Sequence, residues 1–383
     1  MTRVVVAPDS FKGSIRAAAA ARALRDGWLS VRRSDEVVLR PMADGGEGTL
    51  DAFAAAVAGA GRMPVRVAPP AGESRGSCLE TDWLLLPATP DAPGGTGVVE
   101  LASTSGIELY GDRREPWRSS TTGFGDAIAA ALDAGVSRLV LAIGSSASTD
   151  GGAGLLHALG ARLRTASGHD ARLRIDAEQL ARLTSADLTA IRHVPEGGAI
   201  VLTDVTAPLC GPAGAAFVFG PQKGVPLDRL GELDATLANY AELFDVDPAT
   251  PGAGAAGGAG FGLLVWGATL VPGAQEIARL IGLDDAVTGA DLVVTGEGAF
   301  DESSLAGKAP ALVLALAAEA GVPAAMVAGR IDPNVLPTGL AAAISLDALA
   351  GSARAALAEP AHWLRIAGAE LATRFARRAR HAA

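Results

Sequence analysis

The chain has 383 residues, 49% hydrophobic and 19% charged, enough for about two domains with full cores and outside the range of disordered chains. Its formal net charge of −10 provides no overall positive field, which disfavours a general binder of nucleic acid or anionic membrane while leaving room for a local positive pocket. Cys78 and Cys210 form no C-x-x-C pair, no apolar run reaches ~18 residues, and the N-terminal apolar stretch is too short for a signal peptide; a cytoplasmic chain without a cysteine-rich zinc site, disulfide framework or membrane span is expected.

The first elements alternate strand and helix. Arg3–Ala7 reads as a buried strand, Ser14–Leu29 as an alanine-rich helix, Glu36–Arg40 as a strand and Thr49–Ala58 as a helix. In the middle, Val65–Val67 and Leu79–Leu86 read as an antiparallel pair across Pro69-Pro70 and Gly72. Val98–Leu101, Leu139–Ile143 and Ile200–Thr203 read as further strands, with helices at Thr122–Asp133 and Gly152–Leu159. Towards the end the alternation returns, with strands at Asp291–Thr295, Ala324–Ala328 and Ala341–Ser345 and a helix at Ala309–Ala320. Ala361–Ala383 reads as a solvated terminal helix. Such alternation predicts parallel βαβ units. The expected organisation is a parallel three-layer α/β/α (Rossmann-like) domain from residues 1–60 and 285–383, with a mixed-sheet α/β domain of residues 61–284 inserted in it.

Several motifs fail on context. Gly252-Ala253-Gly254-Ala255-Ala256-Gly257 has dinucleotide-fingerprint spacing but follows the turn-like Asp245-Val246-Asp247-Pro248 rather than a strand, and reads as a flexible loop. Gly307-Lys308 lacks the following Ser or Thr of a phosphate-binding P-loop. The five histidines show no metal-ligand spacing, and no G-x-S-x-G elbow occurs.

Others hold together. Ala7-Pro8-Asp9-Ser10-Phe11-Lys12-Gly13-Ser14 lies between a strand end and a helix start, where open α/β sheets place ligands and helix amides favour anions, although Ser14 as a plain N-cap explains it equally. In Ala43-Asp44-Gly45-Gly46-Glu47-Gly48-Thr49 two glycines sit between acids that could hold a cation or a hydroxyl, or Glu47 could serve only the helix dipole. Asp150-Gly151-Gly152 follows the small-residue run Gly144–Thr149, and Thr203-Asp204 ends a strand. Phe219-Gly220-Pro221-Gln222-Lys223-Gly224 reads as a loop too polar for the core, and Thr295-Gly296-Glu297-Gly298-Ala299-Phe300-Asp301 as a loop after a strand. The chain carries 29 arginines but three lysines, Lys12, Lys223 and Lys308, each beside a glycine in one of these loops. With 48 glycines that coincidence has a chance of roughly one in sixty. A lysine is a compact charge that can follow a moving phosphoryl group, and phosphoryl transfer needs little beyond positioning, positive charge and a carboxylate-held metal.

In order and in length, these motifs resemble those of the bacterial glycerate kinase family, from Ala7 to Ser345. The resemblance implies a two-domain fold with the site in the cleft between domains, ATP and Mg²⁺, and phosphorylation of D-glycerate or a close hydroxy acid, giving 2-phosphoglycerate. It implies Lys12, Lys223 and Lys308 as catalytic cations that screen phosphates or the substrate carboxylate. Asp204, Glu297 and Asp301 would bind metal or accept the hydroxyl proton, and Asp9, Asp44 and Glu47 would position substrate. Ser10, Gly45, Gly46, Ser105 and Asp150 complete the substrate- and nucleotide-binding candidates. A homodimer is allowed. Departures fall at Thr206 and Ala207, where the family carries an acid and an amide, at Ala299, where it carries an arginine, and at Ser148-Thr149, in a stretch where it usually reads A-T-N-D. They also suit a relative that binds nucleotide or hydroxy acid without turnover or with altered specificity.

Overall fold

The computed structural model describes residues 1–71, 77–111, 113–167, 175–305 and 309–382. In chain order the strands are β1 (Arg3–Val6), β2 (Glu36–Leu39), β3 (Gly61–Val67), β4 (Leu79–Leu86), β5 (Thr96–Glu100) and β6 (Arg138–Ala142). There follow β7 (Arg162–Thr165), β8 (Leu183–Asp187), β9 (Ala199–Leu202), β10 (Thr269–Val271), β11 (Leu292–Phe300), β12 (Ala324–Ile331) and β13 (Ala342–Ser345).

The chain divides into two compact units. One contains Met1–Asp44, Asp51–Ala58 and Ala274–Ala383; the other contains Gly45–Leu50 and Gly59–Gly273. The second therefore ends before the expected residue 284. The chain leaves its sheet after β10 and enters the helix Gly273–Leu280, whose Ala274, Ile277 and Ala278 are buried, and Arg40 Nε donates to Gly282 O within the first unit.

The first unit carries an entirely parallel five-stranded sheet in the order β13-β12-β11-β1-β2. Val4, Val5 and Val6 are all buried, as expected of a central parallel strand covered on both faces. Val4, Val6, Val294 and Val327 pack with the helices Ala17–Val31 and Pro360–Ala382. Met326 and Ala328 pack with Leu314 of the helix Ala309–Glu319. Two expectations change here. The terminal helix is not a solvated tail: Leu364, Ala367, Leu371 and Ala372 are buried in this core. The Thr295–Phe300 segment is not a loop, because β11 continues pairing with β12 through Glu297↔Ala328 to Phe300↔Ile331. A side chain at Gly296 would overlap the Val327 carbonyl, so glycine marks close backbone approach inside a strand.

The second unit has a six-stranded mixed sheet in the order β10-β9-β6-β5-β4-β3. The β3–β4 and β4–β5 pairs are antiparallel, and β5, β6, β9 and β10 run parallel. Helices Thr122–Asp133, Ala153–Ala158 and Ala255–Trp266 pack on it around Phe124, Ile128, Leu155 and Leu263. The antiparallel pair β7–β8 and the helix Leu230–Ala241 extend this unit around a second core containing Leu163, Leu237, Tyr240 and Phe261.

Candidate active site

In both units the carboxyl ends of the parallel strands carry the polar residues, the place where open α/β sheets bind ligands. In the first unit the chain leaving β1 runs beside the extended β11. Ala7 N donates to Val294 O (2.8 Å) and Asp9 N to Gly296 O (2.8 Å), while Thr295 Oγ1 donates to Ala7 O (2.9 Å). Ser10 N then donates to Asp9 Oδ1 (2.6 Å), and buried Phe11 anchors a turn closed by Ser14 N donating to Phe11 O (2.8 Å). Lys12 projects from this turn, exposed, with its backbone against Gly298. The helix starts only at Ala17, after Arg16 in the cap position, so Ser14 is not its N-cap and the helix amides do not follow Lys12 directly. The structure thus brings Asp9, Ser10 and Lys12 alongside Glu297, which is buried in β11. Asp301 follows, half-buried, its amide donating to buried Ser304 Oγ (3.1 Å). Asp44 is exposed beyond β2, after Met42 N donates to Pro8 O (2.8 Å). In-register pairing sets Ala299 opposite Arg330, an exposed side chain. Lys308 and Gly307 lie outside the described residues.

In the second unit the centre is the segment Gly144–Asp150 after β6. Gly144 N donates to Gly45 O (2.8 Å), and a side chain on Gly144 would collide with Gly46, so the two glycines read from the sequence lie directly on this loop. Half-buried Glu47 follows, and Leu50 N reaches the buried Glu100 Oε1 (3.4 Å) at the end of β5. Ala147 N donates to Ser105 O (3.0 Å), which places buried Ser105 beside the same loop. Asp204, exposed after β9, accepts from Gly273 N (2.8 Å), and Ala207 O accepts from Gly254 N (2.9 Å).

Two of the expected ligand contacts have other occupations. Asp150 is fully buried. Its Oδ2 accepts from Thr121 N (2.7 Å), Thr121 Oγ1 (2.8 Å) and Gly154 N (3.3 Å), and its Oδ1 from Gly152 N (3.1 Å). One carboxylate thereby serves the starts of the helices Thr122–Asp133 and Ala153–Ala158, as an anchor for both. Burial raises its pKa against the pull of the Thr121, Gly152 and Gly154 donors. Lys223 is likewise buried, contrary to a loop too polar for the core: its Nζ donates to Ser146 Oγ (2.7 Å) and Ser148 O (2.6 Å). Burial brings its ammonium down to about 7, with Asp150 opposing the shift. The Gly252–Gly257 stretch is no flexible loop either. It leads into the helix Ala255–Trp266, and Gly257, in the left-handed region at φ 70°, lies against Ser148 O and Lys223 Nζ. Sequence reasoning missed Glu100 and Thr121. A buried acid closing an otherwise uncharged strand was the available signal for Glu100; Thr121 carried none.

A family model described as the glycerate kinase family matches residues 4–376. The chain belongs to the glycerate kinase family. It is 37% identical over 357 residues to a glycerate kinase of Halalkalibacterium halodurans, covering 90% of this chain and 91% of that protein. It is 36% identical to a glycerate 2-kinase of Escherichia coli K12, covering 87% and 86% respectively. The crystal structure of a protein described as glycerate kinase 2 from Salmonella typhimurium LT2 superposes with a TM-score of 0.82 at 33% identity, covering 99% of each chain. The fold expected from the sequence, parallel and mixed α/β, is the fold of this relative. Among the described residues no helix is long and apolar enough to cross a membrane, and no group of three His, Cys, Asp or Glu side chains forms a metal cluster.

Proposed function

We infer that the chain transfers the γ-phosphoryl group of ATP to D-glycerate, giving 2-phosphoglycerate and ADP. The observation that carries this reading is the match to the glycerate kinase family across residues 4–376. In the reaction the substrate hydroxyl oxygen forms a bond to the γ-phosphorus, the bond from that phosphorus to the ADP oxygen breaks, and the hydroxyl proton passes to a carboxylate. Asp301 and Asp204 are the proposed proton acceptors. Exposed Lys12 is the proposed cation for the transferred phosphate, with Lys308 as a second; Asp9, Ser10, Asp44, Gly45, Gly46, Glu47 and Ser105 are the proposed contacts for nucleotide and hydroxy acid.

Mg²⁺ is proposed to arrive with the nucleotide. Such an ion keeps several waters and takes one or two carboxylates plus phosphate oxygens. Glu297 or Asp204 would hold it, and when bound it would neutralise charge on the phosphates. The expected site of action is the cytoplasm, where ATP is supplied.

The test is ADP release from the purified chain with glycerate, tartronate, lactate and erythronate in turn, with and without Mg²⁺. Turnover fastest with D-glycerate and dependent on Mg²⁺ is expected. ATP binding without ADP release for any acid would instead support the non-catalytic relative.

A further inference from the structure

Lys223 differs from Lys12 in every respect that matters for meeting a ligand. Lys12 is exposed on a turn; Lys223 is 3% exposed and spends two of its three donors on Ser146 Oγ and Ser148 O. Burying an ammonium costs several kcal/mol unless its surroundings compensate, so its retention calls for a purpose inside the protein. The surroundings are built for it. Ala256, Gly257 and Gly258 take three consecutive left-handed conformations, with φ of 54°, 70° and 90°. An added Cβ on Gly257 would stand 2.8 Å from Lys223 Nζ and would overlap Ser148 O. Gly257 O in turn accepts from Gly151 N (3.1 Å), so the same turn grips the loop on both sides of Asp150.

What the lysine holds is itself strained. Ser145 is a non-glycine residue at φ 57°, a conformation that persists only where neighbours fix it. Ser146 pairs with Gly106, Ala147 with Ser105, and Ser148 with Lys223. Two buried hydroxyls on these segments, Ser105 Oγ and Ser148 Oγ, have no hydrogen-bond partner among the described residues. Hydroxyls so placed suit the oxygens of a short polar molecule.

We propose that Lys223 is a positioning residue: through Ser146 and Ser148, and cradled by the Ala256–Gly258 turn, it fixes the Ser145–Asp150 loop in the shape that receives the hydroxy acid at Ser105 and Ser148. This rests on the glycerate kinase reading for the identity of the acid. It replaces direct screening of phosphate by Lys223, and it explains the glycines that carried dinucleotide-fingerprint spacing without a dinucleotide site.

The experiment compares wild type, Lys223→Met, Ser146→Ala and the double variant by steady-state kinetics for glycerate and ATP separately. Hydrogen exchange of the 145–149 amides is measured without substrate. Loss of the two Lys223 hydrogen bonds to the loop is expected to raise the KM for glycerate at least about tenfold in Lys223→Met, with the KM for ATP within about twofold. Ser146→Ala is expected to show a smaller rise of the same kind, and the double variant no more than Lys223→Met alone, with faster exchange at 145–149 in each. A raised KM for ATP with that for glycerate unchanged, additive effects of the two substitutions, or unaltered exchange would overturn the proposal. Should Lys223→Met fail to fold, Ser146→Ala, which keeps the lysine and its cradle, decides by the same measurements. A wild type without ADP release would sink the kinase reading, while the exchange measurement would still decide the role of Lys223.

Discussion

Replacing Asp150 by alanine tests whether this carboxylate is the anchor of the second unit. The substitution strips the partner from Thr121 N, Thr121 Oγ1, Gly152 N and Gly154 N, all in a fully buried setting. Each buried donor left unmet costs about 1–3 kcal/mol, and breaking a buried charge pair costs about 3–5 kcal/mol. The Lys223 ammonium loses its opposing charge too, but with a pKa of about 7 it can shed its proton and limit that part of the loss. Relaxation of the loop recovers some of the rest, leaving a cost of about 4 kcal/mol. For a unit of this size that lowers Tm by roughly 8–16 °C. Asp150→Asn keeps the shape. With its oxygen at the Oδ2 position it retains three of the bonds and sets an amide against Gly152 N alone, for a cost of about 1–2 kcal/mol. Calorimetry on the three proteins should therefore rank wild type above Asn above Ala. Equal losses in the two variants, or an alanine variant within about 1 kcal/mol of wild type, would refute the anchoring role.

Gly296→Ala should destabilise the first unit by more than about 3 kcal/mol, because the new Cβ meets the Val327 backbone between two paired strands; a wild-type melting temperature would contradict the strand assignment. Lys223 gives stability a pH dependence of known sign. Between its folded pKa of about 7 and its ordinary value of 10.5 the unfolded chain binds more protons, so stability rises with pH across that window, on the order of 1 kcal/mol per unit at most. Below about 7 the burial penalty is felt in full. Asp150 and the Tyr240 hydroxyl, which stays neutral because burial raises its pKa, are the other titratable groups at this cluster. Denaturant titrations from pH 7 to 10 should show the rise in wild type but not in Lys223→Met, and parallel curves would exclude it. Lys12→Arg should cut kcat roughly a hundredfold with Tm unchanged, since its side chain is exposed; undiminished turnover would remove Lys12 from the reaction.

Much of this was legible in the sequence because the signals were local. Val4–Val6 needs only its neighbours to read as a covered strand, and the glycine-acid motifs announce strand ends wherever they occur. What escaped depended on partners distant in sequence. The glycines at 296 and 298 look like loop residues, yet they lie in a strand whose neighbours, β12 and the Pro8–Lys12 segment, approach closely. The terminal helix, with its arginines, gave no hint that Leu364 and Leu371 would be buried against the helix Ala17–Val31. Lys223 sits among polar and glycine residues, and its burial comes from the turn at 256–258 and the loop at 146–148. Asp150 looked like a ligand contact because a carboxylate between glycines looks the same from sequence whether it faces a substrate or two helix ends.

Phosphoryl transfer to the 2-hydroxyl is tested by the ³¹P NMR spectrum of the product made from D-glycerate and ATP by the purified chain. One new phosphomonoester, 2-phosphoglycerate, formed in step with ADP, is expected. Formation of 3-phosphoglycerate, or ADP release with no phosphorylated acid, would contradict it.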